Sequence, residues 1–485
     1  MYQSNDQTDA LNLFPMHLIR KDNPWVIMER LIPWGQLEVF LKELFSESDK
    51  GRKTIPVRHI LGALIIQTRM NLTDRETIDM ISDMPALQYF LGLSTFEPIE
   101  LFDFTLLCKY RKRLGIDVTK ELIEQLLKHN RVILELKPKE KEKAKDKDKN
   151  DKIRKGSLSI DATVTPVNIT YPTDLKLLNA TRLQSEELID ELYKASDLKT
   201  KPRTYRRLAK ENYLKYAKTK KLSKGKRFTA NRLQLQYIER NIKTIEKYLE
   251  KTVFVINDIQ SETLETIKAI YNQQYTMWET KTNRIDNRIV NFHQPHIRPI
   301  VRNKAGTKVE FGPKIAVSKV NGYILLDKIS FDNFNESRTM HDIIERYKTM
   351  HGFYPEVIRA DQIYRTQENR RLCKALNIRL SGSKLGRKPH DEEKVKADEQ
   401  VQREDAKRRQ EIEGVFGLAK QSYGLDKLMT KLPESQMASI GLVFFVMNLV
   451  RIFQQTSFCS RIETLILSII DKETVDLCAE DASFA

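Results

Sequence analysis

Apolar positions along this chain change period twice. From the amino terminus to about residue 135 they recur at helical spacing. In "VRHILGALIIQTRM" (57–70), Ile60, Leu61, Leu64, Ile65 and Thr68 share one broad face, and "NLTDRETIDMI" follows with Thr73 and Glu76 at capping-box spacing. Helix, short turn, helix is the outline of a helix-turn-helix unit that lays a helix in a major groove, and equally of an ordinary helical hairpin. "LFDFTLLCKYRKRLG" (101–115) ends in Lys109, Arg111, Lys112 and Arg113, which suit a helix C-terminus as readily as they suit phosphate.

The period then shortens. In "SLSIDATVTPVNITYPTDL" (157–175), Ser157 through Thr165 read as a strand, with Asp161 in its middle. A helical pattern occupies about 176–300, after which "TKVEFGPKIAVSKVNGYILLDKISF" holds two β-rich runs joined at Asn321-Gly322, the strongest short hairpin signal. "TMHDIIERYKTMHG" predicts a helix ending at Gly352, and "PEVIRAD" a short buried strand ending on Asp361. A helix (367–378), a strand (378–382) and a helix from about 401 to 422 complete the series. The alternation predicts an α/β (α+β mixed) fold: a mixed sheet flanked by helices with the layout of a ribonuclease H-like core, behind an all-α amino-terminal domain and carrying a helical insertion. "MASIGLVFFVMNLV" (437–450) is 14 residues long, short of the roughly 20 a bilayer span requires, so it is read as a buried core helix.

Charge sharpens this outline. The 485 residues carry a formal net charge of +17, which favours an anionic partner, nucleic acid before a membrane surface. Residues 199–228 hold 13 basic residues and one acidic, so this segment supplies most of the excess. Tyr205, Tyr213 and Tyr216 are interleaved with the charges, which suits phosphate contacts beside stacking faces; a solvated helical arm is the plainer alternative. Arg203, Arg206, Arg207, Lys220, Lys221, Lys224, Lys226 and Arg227 are the candidate DNA contacts here. "KPKEKEKAKDKDKNDKIRK" (137–155), with ten basic and five acidic residues, reads as a solvated linker. The expected domains are therefore 1–135, a linker at 136–156, 157–456 with the basic insertion, and a tail at 457–485. Cys108, Cys373, Cys459 and Cys478 lack C-x-x-C spacing, which disfavours zinc and disulfides and fits a reducing cytoplasm. No secretory pattern opens the chain.

Asp161 in a first core strand and Asp361 at the end of its expected neighbour are two acids where open α/β sheets gather function. They would repel unless a cation neutralised them, and oxygen-only donors suit Mg2+ or Mn2+. On the last helix, Arg409, Glu413 and Lys420 fall along one stripe beside the apolar Ile412, Phe416 and Ala419, whereas Glu411 points about 160° away from Glu413. Glu413 is the expected third ligand.

The segments "IDATVTPVNITYPTDLKLLNATR", "IRADQIYRTQENRRL" and "IEGVFGLAKQSYGL" resemble the three acidic motifs of bacterial insertion-sequence DDE transposases, and "IPVRHILGALIIQTRMNLTDRETIDMISDMPALQYFLGL" resembles their amino-terminal domain. The resemblance implies a DNA transposase in which Asp161, Asp361 and Glu413 form the catalytic, metal-binding triad. Arg409 and Lys420 match the Arg and Lys of the family's Y-R-E-K signature, whose tyrosine is replaced here by Ala406. It further implies two-metal phosphoryl transfer that cleaves element ends and joins them to target DNA, an amino-terminal domain that binds those ends, double-stranded DNA as the partner, no membrane association, and a homodimer in the active complex.

Overall fold

The computed structural model describes residues 14–42, 55–130, 154–196, 199–251, 256–301, 309–383, 386 and 391–456. Most of the linker expected at 136–156, and all of the tail expected at 457–485, lie outside these residues. Helices α1 (Pro24–Leu31), α2 (Trp34–Lys42), α3 (Val57–Met70), α4 (Asp74–Asp83), α5 (Pro85–Phe90), α6 (Thr105–Leu114) and α7 (Ile116–His129) make the amino-terminal part. α3 is buried at Ile60, Leu61, Leu64 and Ile65 as its spacing predicts, and the Thr73–Glu76 capping box opens α4. Trp25 and Trp34 both meet Phe90 edge-on, at 5.1 and 5.5 Å between ring centroids. Arg111, one of the four basic residues closing α6, is buried and donates to Asp74 Oδ1 and Oδ2 at 2.8 and 2.6 Å, so its charge holds α6 against α4.

The chain divides into two compact units, one of residues 1–163, 315–329 and 335–485, the other of residues 164–314 and 330–334. Strands β1 (Ser157–Val164), β4 (Lys314–Val320), β5 (Tyr323–Ser330), β6 (Val357–Arg359) and β7 (Arg379–Leu380) form one sheet in the order β5-β4-β1-β6-β7. β4 turns into β5 through Asn321 and Gly322, both at positive φ, as a two-residue hairpin requires. β1 runs parallel to β6, and β6 parallel to β7. The fold is thus mixed α/β, with its hairpin on one side of β1 and its parallel strands on the other.

The β-rich run after residue 307 behaves differently from its pattern. It breaks at Gly312, where an added Cβ would lie 2.0 Å from the Thr165 carbonyl oxygen. The part before the break is β3 (Val309–Phe311), which pairs antiparallel with β2 (Pro299–Val301) in a separate two-stranded sheet. The second unit also holds helices α8 (Asp174–Lys194), α9 (Arg206–Ala217), α10 (Lys224–Lys251) and α11 (Asp258–Glu279), closed around Leu178, Ile189, Ile238, Ile245, Ile267 and Ile270.

Back in the first unit, α12 (Met340–His351) ends at Gly352 and α13 (Gln367–Ala375) precedes β7. α14 (Glu392–Tyr423) begins about nine residues before the expected start. Its first turns, "EEKVKADEQ", are polar all round and show no apolar period, but they consist mainly of strong helix formers and are capped by Asp391. α15 (Pro433–Thr456) is 24 residues long, and its most apolar 18 residues have mean hydropathy 1.7, enough by length and composition to cross a membrane, yet 72% of that stretch is buried in the protein. Asn448 within it bonds to both the N–H and the C=O of Ile324 on β5, at 2.9 and 2.7 Å. That places α15 as a core helix.

Candidate active site

β1 is buried at six of its eight positions; Ser157 and Asp161 are the half-exposed ones. A carboxylate is tolerated at 161 because that position reaches solvent. The β1–β6 register sets Ser159 opposite Arg359. Asp161 lies two residues further along β1, and Asp361 two residues past the end of β6, beyond the last paired position. Asp161 Oδ1 accepts the Ala162 N–H at 2.8 Å. Asp361, just past β6, caps the turn Gln362–Tyr364 by accepting the Gln362 N–H at 2.7 Å. The carboxylate still stands 56% exposed.

α14 passes the same strand end. Arg409 Nη1 donates to Asp361 Oδ1 at 2.8 Å. Glu413, one turn later, is exposed. Glu411 is engaged elsewhere: Lys319 Nζ on β4 lies 2.9 Å from its Oε2 and holds the Glu411 carboxyl below the usual range. Lys420 is half-buried on the same helix. Nearer the helix start, Asp405 is buried and accepts from Arg359 and Arg379. Burial pushes its carboxyl up, but the Arg379 and Arg359 guanidiniums outweigh that and hold it low.

Sequence reasoning missed four groups here: Tyr364, Asn369, Glu336 and Asp405. Tyr364 is fully buried three residues after Asp361. Burial first, and then the carboxylates of Glu336, Asp161 and Asp327, drive its phenol pKa far up, so Glu336 shares the field around Asp161. Asn369, also buried, donates to the carbonyls of Ser337 and Tyr364 at 2.8 Å each, tying the Glu336 turn to the Asp361 loop. Glu336 follows Asn335 in a polar connection, where an acid normally signals a turn. Asp405 looks like one more charge on a solvated helix face.

Among the described residues, no group of three or more His, Cys, Asp or Glu could hold a metal ion as it stands. The fold pairs the strand that bears Asp161 with the strand that leads to Asp361 and ties α14 to Asp361 through Arg409, without converging all three carboxylates into such a group. The candidate acids offer oxygen donors only, as a hard divalent cation requires. Arg409 supplies positive charge to Asp361.

In the second unit, Lys220, Lys221, Lys224, Lys226 and Arg227 are all exposed, and Tyr213, Tyr216, Lys220 and Arg227 line a cavity of about 420 Å³. Arg207 is exposed and paired with Glu211. Arg206 is committed within the unit: it bonds to Asp190 Oδ1 at 2.5 Å and Oδ2 at 2.7 Å. Arg203 and Arg240 sit 4.7 and 4.5 Å from the Tyr205 ring centroid, so that ring already carries cations.

Two family models match this chain: residues 358–450 match the transposase DDE domain and residues 15–113 the transposase domain DUF772. The first opens within β6 and includes Asp361, Arg409 and Glu413, but leaves out Asp161 and the whole second unit. No curated protein and no solved structure matches.

Proposed function

The two matches bear out an insertion-sequence DDE transposase, and from that premise we propose that the protein cleaves DNA at the ends of its element and joins those ends to target DNA. The observation that carries the proposal is the parallel pairing of β1, which bears Asp161, with β6, which leads into Asp361, with α14 tied to Asp361 by Arg409. The proposed core is ribonuclease H-like; an order of β5-β4-β1-β6-β7, with one acid within the central strand β1 and one just past the end of its parallel neighbour β6, supports that reading.

Asp161, Asp361 and Glu413 are the residues that would hold Mg2+ or Mn2+. When bound, such ions lower the pKa of a water or a 3′-hydroxyl and stabilise the leaving 3′-oxygen. The fit requires Arg409 to yield its place on Asp361. A partly exposed pair of this kind contributes only about 0–1 kcal/mol, so little opposes the exchange. Once released, Arg409 is free to meet a DNA phosphate on the same helix stripe as Lys420. The exposed lysines of the second unit would hold the duplex, and two copies of the chain would pair two ends.

The test is a cleavage assay with a labelled terminal-repeat oligonucleotide and a target plasmid in Mg2+. Joined products support the proposal. Nicks without joining would reassign the protein as a nuclease, and no reaction with any repeat-bearing DNA would overturn it.

A further inference from the structure

α14 carries a positional problem. Its 32 residues present Asp405, Ile412, Phe416, Ala419 and Tyr423 as buried side chains, and from Glu392 to Glu411 Asp405 stands alone among them. The half of the helix that approaches the strand ends therefore has one buried anchor, and that anchor is a carboxylate. Asp405 Oδ1 accepts from Arg359 Nε at 3.0 Å and from Arg379 Nη2 at 3.0 Å, and Oδ2 accepts from Arg379 Nη1 at 2.5 Å. Arg359 ends β6, two residues before Asp361; Arg379 opens β7, the next strand. One side chain thus ties the helix to two adjacent strands.

Helical geometry passes that restraint along the helix. Arg409 lies one turn beyond Asp405 and Glu413 two turns beyond. A slip of a single residue moves each by about 1.5 Å along the axis and turns it by about 100°. We propose that Asp405 is a positioning residue: its fork to Arg359 and Arg379 sets the register of α14 at which Arg409 and Glu413 are presented to Asp361. This rests on the proposed metal-dependent site, and it concerns a residue that touches neither DNA nor the carboxylates it aligns.

The test compares Asp405→Asn and Asp405→Glu with Arg346→Gln, which breaks a different ion-pair cluster of the same unit, at Glu124 and Asp327. Mn2+ affinity of the full chain is measured by paramagnetic resonance of the free ion, alongside cleavage and amide hydrogen exchange over residues 405–413. Asp405→Asn is expected to weaken Mn2+ binding about tenfold or more, the usual size for loss of a supporting residue behind metal ligands. Its helix amides are expected to exchange faster, while DNA affinity stays within about twofold because no phosphate contact is lost. Asp405→Glu keeps the charge but lengthens the arm, and is expected to fall between. Arg346→Gln should lower thermal stability without moving Mn2+ affinity. Unchanged Mn2+ affinity and exchange in Asp405→Asn would overturn the proposal, as would an equal loss of Mn2+ affinity in Arg346→Gln. Exchange is read without any cleavage, so faster exchange in a chain that joins no DNA would sink the functional reading and leave the register argument standing.

Discussion

The strand-end region and the basic arm of the second unit are both dense in charge, and they treat it oppositely. Around β6, three acids have a cation partner within the protein: Asp405, buried, with Arg359 and Arg379, and the more exposed Asp361 with Arg409 and Glu411 with Lys319. In the arm, Lys220, Lys221, Lys224 and Lys226 project into solvent, while Arg206 alone of the candidate contacts is bound to a carboxylate partly buried beside it. Charge locked by a partner fixes geometry; charge left in solvent is available to a ligand. A count of basic residues treats the two alike, and only the fold separates them.

The most severe way to break the comparison is at the acids themselves. Asp161→Ala or Asp361→Ala is expected to reduce end cleavage by about 1,000-fold or more while DNA binding persists, since each would remove a ligand and leave the cationic surface untouched. Gel-shift and cleavage assays on the same preparation read both. Near-normal cleavage in either variant would move the chemistry elsewhere.

The second effect concerns a locked charge that resists ionisation. Asp327 on β5 is pushed up to about 7 by burial, against the opposing pull of Arg346, the Ser318 hydroxyl and Lys120. Because the folded value lies above the unfolded one, its favourable contribution is complete below about pH 4 and is lost as pH rises through about 7. Three units correspond to about 4 kcal/mol at most. Thermal midpoints should therefore fall between about pH 4 and 7 in the native chain and level off above that, and Asp327→Asn should remove most of that slope. A slope identical in the two proteins would show that Asp327 ionises freely.

How far this was legible depends on what a side chain reveals about its own burial. Thr73 with Glu76, and Asn321 with Gly322, announced a helix start and a hairpin because their chemistry is local, and both are present. Ile60, Leu61, Leu64 and Ile65 announced a buried face because apolar spacing reports it. Asp405 announced nothing: within "EDAKRRQE" a buried acid looks like its solvated neighbours, and its partners lie 46 and 26 residues away. The break at Gly312 depends on a close approach to Thr165, and the early start of α14 on propensity without an apolar period. The pairing of β1 with the strand leading to Asp361 was expected from the alternation of strands and helices, and it is present.

The arm sharpens the comparison most finely, because both kinds of charge occur there within about twenty residues. Arg206→Gln is expected to cost the second unit about 1–2 kcal/mol, discounted for its partial exposure, by unpairing Asp190 and removing a neighbour of the buried Glu186. The salt dependence of DNA binding should hardly move. Lys220→Gln, Lys221→Gln, Lys224→Gln and Lys226→Gln should each leave the thermal midpoint within about 0.5 kcal/mol, as surface changes do. Each that meets a phosphate should lower the slope of log affinity against log salt by about 0.9. The slope is the decisive quantity, since it counts ions released from DNA and is blind to folding. If Arg206→Gln lowers it as much as a lysine change does, the Asp190 pair opens on DNA, and locked and offered charge are no longer distinct classes in this arm.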